Sequence, residues 1–285
     1  MNNLNSKNKK VIIIRKASGE EEAFSSDKLK QSLHNAGAKN ETIEKIVTKI
    51  ERWVYQGVTT KKIYARAFSM LRDEKSDSSL RYRLKQAILE LGPTGYPFEI
   101  LIGKLFEHMG FKTEVGIVID GNCVTHEMDV IATNNHVQHL VECKYHKDQG
   151  KQVSVQVPLY VHSRVDDIIS KRNGMSEYKN FSFKAWVITN TRLSSDSIKY
   201  SACSGLNLLA WNYPVGNGLK ENIEKFKLYP ITILRNLKTK EKKYLLNEGI
   251  VTCSQLIEKP DSLINLGLGK KKYKIIMKEI NDICE

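Results

Sequence analysis

The sequence predicts a multidomain chain: a mainly helical N-terminal part, an α/β centre with a mixed sheet flanked by helices, and a small helical tail. Three observations carry this prediction. Residues about 10–90 place apolar side chains at helical spacing, as in Ile43, Ile46, Val47, Ile50 and Val54. Residues about 95–215 alternate short apolar strands with helical stretches, which suits a layered α/β core. Beyond about residue 225 the pattern is helical again, broken by the Gly-centred turns NEGI and LGLGKKK. We set the boundaries at 1–91, 92–218 and 219–285, the first at the helix-breaking GPTGYP. A chain of 285 residues is long enough for two or three small cores.

Each element follows from its own stretch. Val11 to Ile14 is a short apolar strand, and KASGEEEAF after it reads as a polar turn. SSDKLKQSLHNAG starts a helix, with Ser25 or Ser26 as N-cap and Gly37 near its end. NETIEKIVTKIERWVYQG is a second amphipathic helix, and TTKKIYARAFSMLRD and SSLRYRLKQAILEL are two more. In the centre, PFEILIGKLFEHMGF is a helix ending at Gly110, and KTEVGIVIDG, HEMDVIAT and HLVECKYH are three consecutive strands. VSVQVPLYVHSRVDDIISK reads as a helix although Pro158 opposes its early part. KAWVITN is a buried strand, SSDSIKYSACSG a helix and LNLLAW a last strand.

Composition narrows the function classes. Hydrophobic residues at 41% and charged residues at 27% are ordinary for a globular protein and argue against global disorder. No stretch approaches the roughly 20 apolar residues of a membrane span, and the polar, basic MNNLNSKNKK is no signal sequence, so a cytoplasmic protein with no membrane partner is expected. The five cysteines lie far apart without zinc spacing and read as reduced thiols. A net charge of +13 favours a polyanionic partner, because neutralised phosphates release counterions.

The most informative stretch is HEMDVIATNNHVQHLVECKYH. Glu142 and Lys144 lie two residues apart and therefore on one face of a strand, and Asp129 on the preceding strand can lie across from them. Apolar Val130, Ile131, Leu140 and Val141 would bury the pair. Adjacent carboxylates repel and are costly to desolvate, and a divalent cation relieves both penalties. Mg²⁺ (or Mn²⁺) takes hard oxygen ligands and is held by one or two carboxylates plus waters and a phosphate. Lys144 could then orient or deprotonate a water, or balance developing charge. His146 would share their face if the strand continued, His126 and Glu127 are lesser candidates near the ion, and Tyr160 and Arg164 are candidates to line a DNA groove.

This pattern resembles the PD-(D/E)xK nuclease superfamily, most closely the Mrr-like restriction endonucleases, over about residues 95–212. The resemblance includes the helix PFEILIGKLFEHMGF, the strands MDVIA and VECKYH, and the closing strand, helix and strand of AWVITNTRLSSDSIKYSACSGLNLLAW. It implies a restriction-endonuclease-like fold, Asp129 and Glu142 as metal ligands, Lys144 as the catalytic lysine and Glu99 as an acidic residue that completes the shell or orients water. The family's Gln on the following helix corresponds to Gln152 or Gln156. Asp129 lacks a preceding Pro, a departure common in that family.

The N-terminal segment places Arg15 and Lys16 beside a turn and a helix start, where cations and free N–H groups suit a triphosphate. Residues about 10–90 resemble the ATP-cone, a nucleotide-sensing domain, through Arg15, Lys16, Glu22, Asp27 and Lys28, then GVTTKKIY with Thr60 and Tyr64, then SLRYRL with Arg81 and Tyr82. That resemblance implies ATP or dATP as effector. The tail, LLNEGIVTCSQLI then LINLGLGKKKYKII, resembles a helix-hairpin-helix module. Gly267 and Gly269 would let the backbone approach phosphates, with Lys270, Lys271 and Lys272 as donors, giving sequence-independent DNA binding.

The expected function is a Mg²⁺-dependent endonuclease acting on DNA and regulated by an adenine nucleotide, with defence against foreign DNA as the role suggested by analogy. Its rival is a non-catalytic, nucleotide-responsive DNA-binding regulator on a retained nuclease fold. RNA as substrate stays open. Cutting both strands of a duplex calls for two centres, which a homo-oligomer would supply.

Overall fold

The computed structural model describes residues 11–16, 18–35, 38–73 and 83–284, and the chain divides into two compact units, 1–83 and 84–285. The first unit pairs β1 (Ile13–Arg15) with β2 (Glu21–Ala23) in antiparallel register, Ile13 opposite Ala23 and Arg15 opposite Glu21. The acidic run read as part of a polar turn thus supplies a strand. Gly19, at φ +85°, takes the left-handed conformation that lets the chain reverse so tightly. Helices α1 (Ser26–Asn35), α2 (Asn40–Trp53) and α3 (Thr60–Asp73) follow. Their apolar faces meet in a core containing Leu33, Ile43, Ile46, Ile50, Ala67 and Leu71. The Arg15 amide donates to Val58 O at 3.0 Å, which ties β1 to the chain entering α3. Residues 74–82, including Arg81 and Tyr82 of the nucleotide motif, lie outside the described residues.

The second unit begins with α4 (Leu84–Leu89) and α5 (Tyr96–His108). Strands β3 (Lys112–Asp120), β4 (Thr125–Asn134) and β5 (Val137–Lys144) form a meander. The short β6 (Gln152–Val153) leads into α6 (Gln156–Asn173), then β7 (Ser182–Thr189), β8 (Arg192–Leu193), α7 (Ser195–Ser204) and β9 (Asn207–Leu209). The central sheet has the order β3-β4-β5-β7-β9. β3–β4 and β4–β5 are antiparallel, while β5–β7 and β7–β9 are parallel, so the sheet is mixed as the sequence suggested. β6 and β8 form a separate parallel pair with Gln152 opposite Arg192, an element too short to show in the hydrophobic pattern. The predicted helix from residue 153 starts only at Gln156. Pro158 sits in its first turn, where a missing N–H costs no helical bond. Met128, Ile131, Leu140, Val161, Val165, Ile168 and Val187 close the core on this side of the sheet.

The remaining helices are α8 (Leu219–Lys225), α9 (Thr239–Asn247), α10 (Cys253–Glu258), α11 (Asp261–Ile264) and α12 (Lys270–Cys284). They lie in the second unit, 84–285. Thr232 Oγ1 donates to Ala87 O of α4 at 2.6 Å, and buried Glu279 of α12 accepts from the Arg235 amide at 2.9 Å. Among the described residues, no helix is long and apolar enough to cross a membrane.

Candidate active site

Antiparallel pairing of β4 with β5 fixes the centre. Val130 lies opposite Val141, and the same register carried one residue further sets Asp129 across from Glu142. The Asp129 carboxylate accepts the Cys143 amide through Oδ2 at 2.6 Å, so the side chain is anchored to the neighbouring strand. On its other flank, the β3–β4 register skips Gly116, whose φ of +65° breaks the regular pleat beside Asp129.

Glu142 is 3% exposed, and both of its oxygens are engaged. Oε1 meets Lys144 Nζ at 2.6 Å and accepts from the Tyr160 hydroxyl at 2.5 Å. Oε2 accepts from Arg164 Nη1 at 2.6 Å, and the same nitrogen reaches Glu127 O at 3.2 Å. Tyr160 and Arg164, candidates to line a groove, both contact the Glu142 carboxylate. Gln156, Tyr160 and Arg164 follow at intervals of four on α6, so they share the helix face turned to β5. Of the two candidate glutamines, Gln156 stands on the Tyr160 face, whereas Gln152 lies in β6 opposite Arg192.

The electrostatics divide the group. Burial pushes the Glu99 carboxyl up to about 7, and Asp129, Glu127 and Glu142 push in the same direction. Asp129 is raised to about 6 by burial and then by Glu142. Burial works against the Lys144 charge, but Glu142 and Tyr160 outweigh it and its pKa is raised. Tyr160 is pushed up to about 12, first by burial and then by its bond to Glu142. Lys144 therefore remains an ammonium, while Glu99 exchanges protons near neutrality. Among the described residues, no three His, Cys, Asp or Glu side chains stand close enough to hold a metal ion together.

Other candidates lie elsewhere. β5 ends at Lys144, so His146 does not continue its face. The His146 backbone is clasped by Asn190, its amide donating to Oδ1 at 2.8 Å and its carbonyl accepting from Nδ2 at 2.8 Å. His126 is committed to Asp167 at 2.7 Å, away from a metal role. In the first unit, Glu22 meets Lys28 at 2.9 Å and Lys16 at 3.2 Å. The Lys28 bond holds its carboxyl below the usual range against burial, with Lys16 adding to the effect. Arg15 pairs with Glu21 at 3.6 Å, Thr60 opens α3, and Tyr64 packs against the core. In the tail, Gly267 adopts φ +66°, and Lys270 and Lys271 are exposed. Lys272 departs from the expected donor set, because its ammonium is held by Glu241 at 2.6 Å and 2.7 Å.

Comparison with known proteins agrees with this architecture at the level of domains. Residues 12–85 match the ATP cone domain, and residues 229–284 match the C-terminal domain described as AF1548-like. An uncharacterized protein of Archaeoglobus fulgidus is 30% identical over 183 residues, covering 64% of this chain and 99% of the relative. The crystal structure of the protein of unknown function AF1548 is similar at TM-score 0.54 and 29% identity, over 67% of this chain and 98% of that one. The chain therefore belongs to the AF1548-like family, and its N-terminal unit carries an ATP cone domain.

Proposed function

We propose that the chain is a metal-dependent endonuclease that hydrolyses DNA phosphodiesters at Asp129, Glu142, Lys144 and Glu99, under the control of ATP or dATP bound by its ATP cone. The observation that carries this reading is the convergence of Asp129 and Glu142 across one strand pair, with the Lys144 ammonium 2.6 Å from Glu142. The strand and helix order around them supports it too: one helix, a three-strand meander, a helix, and two strands parallel to the last of the meander.

The donor set fits Mg²⁺ or Mn²⁺. Asp129 and Glu99 are pushed toward protonation, and hard oxygens that are costly to ionise are suited to a divalent cation. Asp129 and Glu142 would hold the ion, and Glu99, its carboxyl raised by burial and by the same carboxylates, would be left to take a proton. When bound, the ion neutralises phosphate charge and lowers the pKa of a water. Lys144 stays charged and balances the negative charge that builds on the phosphate. Glu99, near neutrality in pKa, accepts the proton of the attacking water at a carboxylate oxygen. Arg164 and Tyr160 orient Glu142, and Arg164 stands at the oxygen from which it must shift for an ion to enter. Exposed Lys270 and Lys271, beside the Gly267 turn, would hold the duplex through its backbone phosphates.

A second reading is favoured by one observation. Both Glu142 oxygens are satisfied by protein cations, as suits a non-catalytic, nucleotide-responsive DNA-binding regulator with a locked centre. The test is incubation with supercoiled plasmid and Mg²⁺ or Mn²⁺, with and without ATP or dATP. Wild type is run beside Lys144→Ala and Glu142→Ala, with an RNA substrate in parallel. Cutting lost in both variants supports the enzyme, and DNA binding without cutting under every condition supports the regulator.

A further inference from the structure

A cavity of about 270 Å³ lies beside β9 and is lined by none of the residues of the centre described above. Its walls come from the end of α5, from β7 and β9, from α7 and from the loop after β9. Glu99 stands in the first turn of α5, whereas Leu105 and Phe106 line the cavity near the other end of that helix. Leu105, Phe106, Leu206 and Leu209 are buried. The rings of Phe106 and Trp186 meet edge to face at 5.9 Å. Among the described residues, no charged side chain lines the cavity.

Its polar side chains are mostly tied into the frame. Asn222 Nδ2 donates to Asn217 O at 3.0 Å, to Gly218 O at 2.8 Å and to Asn217 Oδ1 at 3.3 Å. Asn207 Nδ2 donates to Ala185 O at 3.1 Å, and Trp186 Nε1 donates to His139 Nδ1 at 2.7 Å. Ser201 of α7 differs. It lines the cavity, is 1% exposed, and its hydroxyl makes no hydrogen bond among the described residues. A buried hydroxyl without a partner is costly. A single water would need further polar partners to settle there, and the amide and indole N–H groups around it are already engaged. No bond holds the Ser201 rotamer, so the hydroxyl is free to turn toward a ligand.

We propose that this cavity binds a neutral two-ring aromatic molecule with one hydrogen-bonding group, of the size and kind of indole, and that Ser201 is the partner of that group. An apolar cavity of about 150 Å³ takes benzene, and this larger one has room for a second fused ring. Phe106, Trp186 and Tyr213 offer ring faces and edges to an aromatic guest. An ion would enter without a counter-charge, which excludes charged ligands. A purine is close in size, but most of its ring nitrogens would be left without partners. The proposal goes beyond the nuclease reading and does not depend on it.

The test titrates 5-fluoroindole against the full chain by ¹⁹F line broadening, with 1-methylindole and adenosine as competitors. Variants are Ser201→Ala, which removes the hydroxyl, and Ala202→Phe, which sets a ring at the exposed rim of the cavity. Circular dichroism checks that both fold, and Ala202→Leu replaces Ala202→Phe if the larger ring disturbs the helix. Wild type is expected to bind the probe saturably. Ser201→Ala should bind it about fivefold more weakly, the effect of one neutral hydrogen bond. Ala202→Phe should bind it weaker by roughly tenfold or more, because the guest and the new ring compete for one space. The 1-methylindole competitor has no N–H to donate, so it should compete equally well in wild type and Ser201→Ala, and adenosine should not compete. If wild type gives no saturable broadening, or the rim variant binds as wild type does, the site is overturned. If Ser201→Ala weakens 1-methylindole as much as 5-fluoroindole, the role given to the hydroxyl is overturned. Competition by adenosine overturns the ligand class. None of these outcomes depends on whether the chain cuts DNA.

Discussion

Asp129→Asn isolates the cost of holding the carboxylates together. The Asp129 carboxyl is raised from the ordinary 3.8 to about 6, by burial first and Glu142 second. An acid whose folded pKa lies above its unfolded value destabilises the fold once ionised. The penalty is absent below about pH 4, grows as pH rises toward 6, and is complete above that. At 1.36 kcal/mol per pKa unit the gap corresponds to about 3 kcal/mol, an upper figure because the side chain keeps some contact with solvent. Asparagine keeps an oxygen for the Cys143 amide, now 2.6 Å from Oδ2, and turns a donor rather than a charge toward Glu142. Urea unfolding in EDTA, followed by Trp186 and Trp211 fluorescence in a Trp53→Phe background, measures the effect. The expected result is a gain of about 1–3 kcal/mol at pH 8 that vanishes at pH 3. A variant that is less stable at pH 8, or equally shifted at both pH values, would refute the reasoning.

Three further perturbations probe other parts of the account. Arg164→Ala should cost on the order of 3 kcal/mol in unfolding measurements, because it leaves buried Glu142 with one cation in place of two. The same variant should bind Mn²⁺ more tightly than wild type when titrated without DNA by electron paramagnetic resonance, and weaker binding would contradict the placement of Arg164 on the ion's oxygen. Asp167 is held down to about 2 by its bond to His126, against desolvation, with the amides of Cys123 and Val124 adding to the effect. Its contribution is therefore present above about pH 4 and lost as pH falls toward 2, and acid titration of Asp167→Asn should show a flatter profile than wild type. Lys16→Ala, which removes one cation from Glu22, should weaken dATP or ATP binding by about tenfold in calorimetry, as expected for a lost charged contact to phosphate.

Much of this architecture was legible in the residues. Period-two patterning set Glu142 and Lys144 on one face, and the flanking apolar residues made the strands certain enough to pair Asp129 with them. The ATP cone was readable because its polar residues stand at fixed offsets from a strand and a helix start. Short elements were lost: β2 is an acidic run whose pairing comes from β1, and β6 with β8 offers two residues each, too few for any period. The grip of Tyr160 and Arg164 on Glu142 depends on the distance between α6 and β5, which no local pattern encodes, although the four-residue spacing from Gln156 was a usable signal. Lys272 illustrates the opposite error, since a lysine run looks uniformly available until the fold brings Glu241 to one member.

The most direct trial is single-turnover cleavage of an end-labelled DNA duplex in Mg²⁺, comparing wild type with Lys144→Ala at equal DNA occupancy. The account predicts strand scission by wild type and a loss of at least a hundredfold in the variant, with binding retained. Equal cleavage by both proteins would contradict it, as would no cleavage by wild type in any divalent metal with ATP or dATP present.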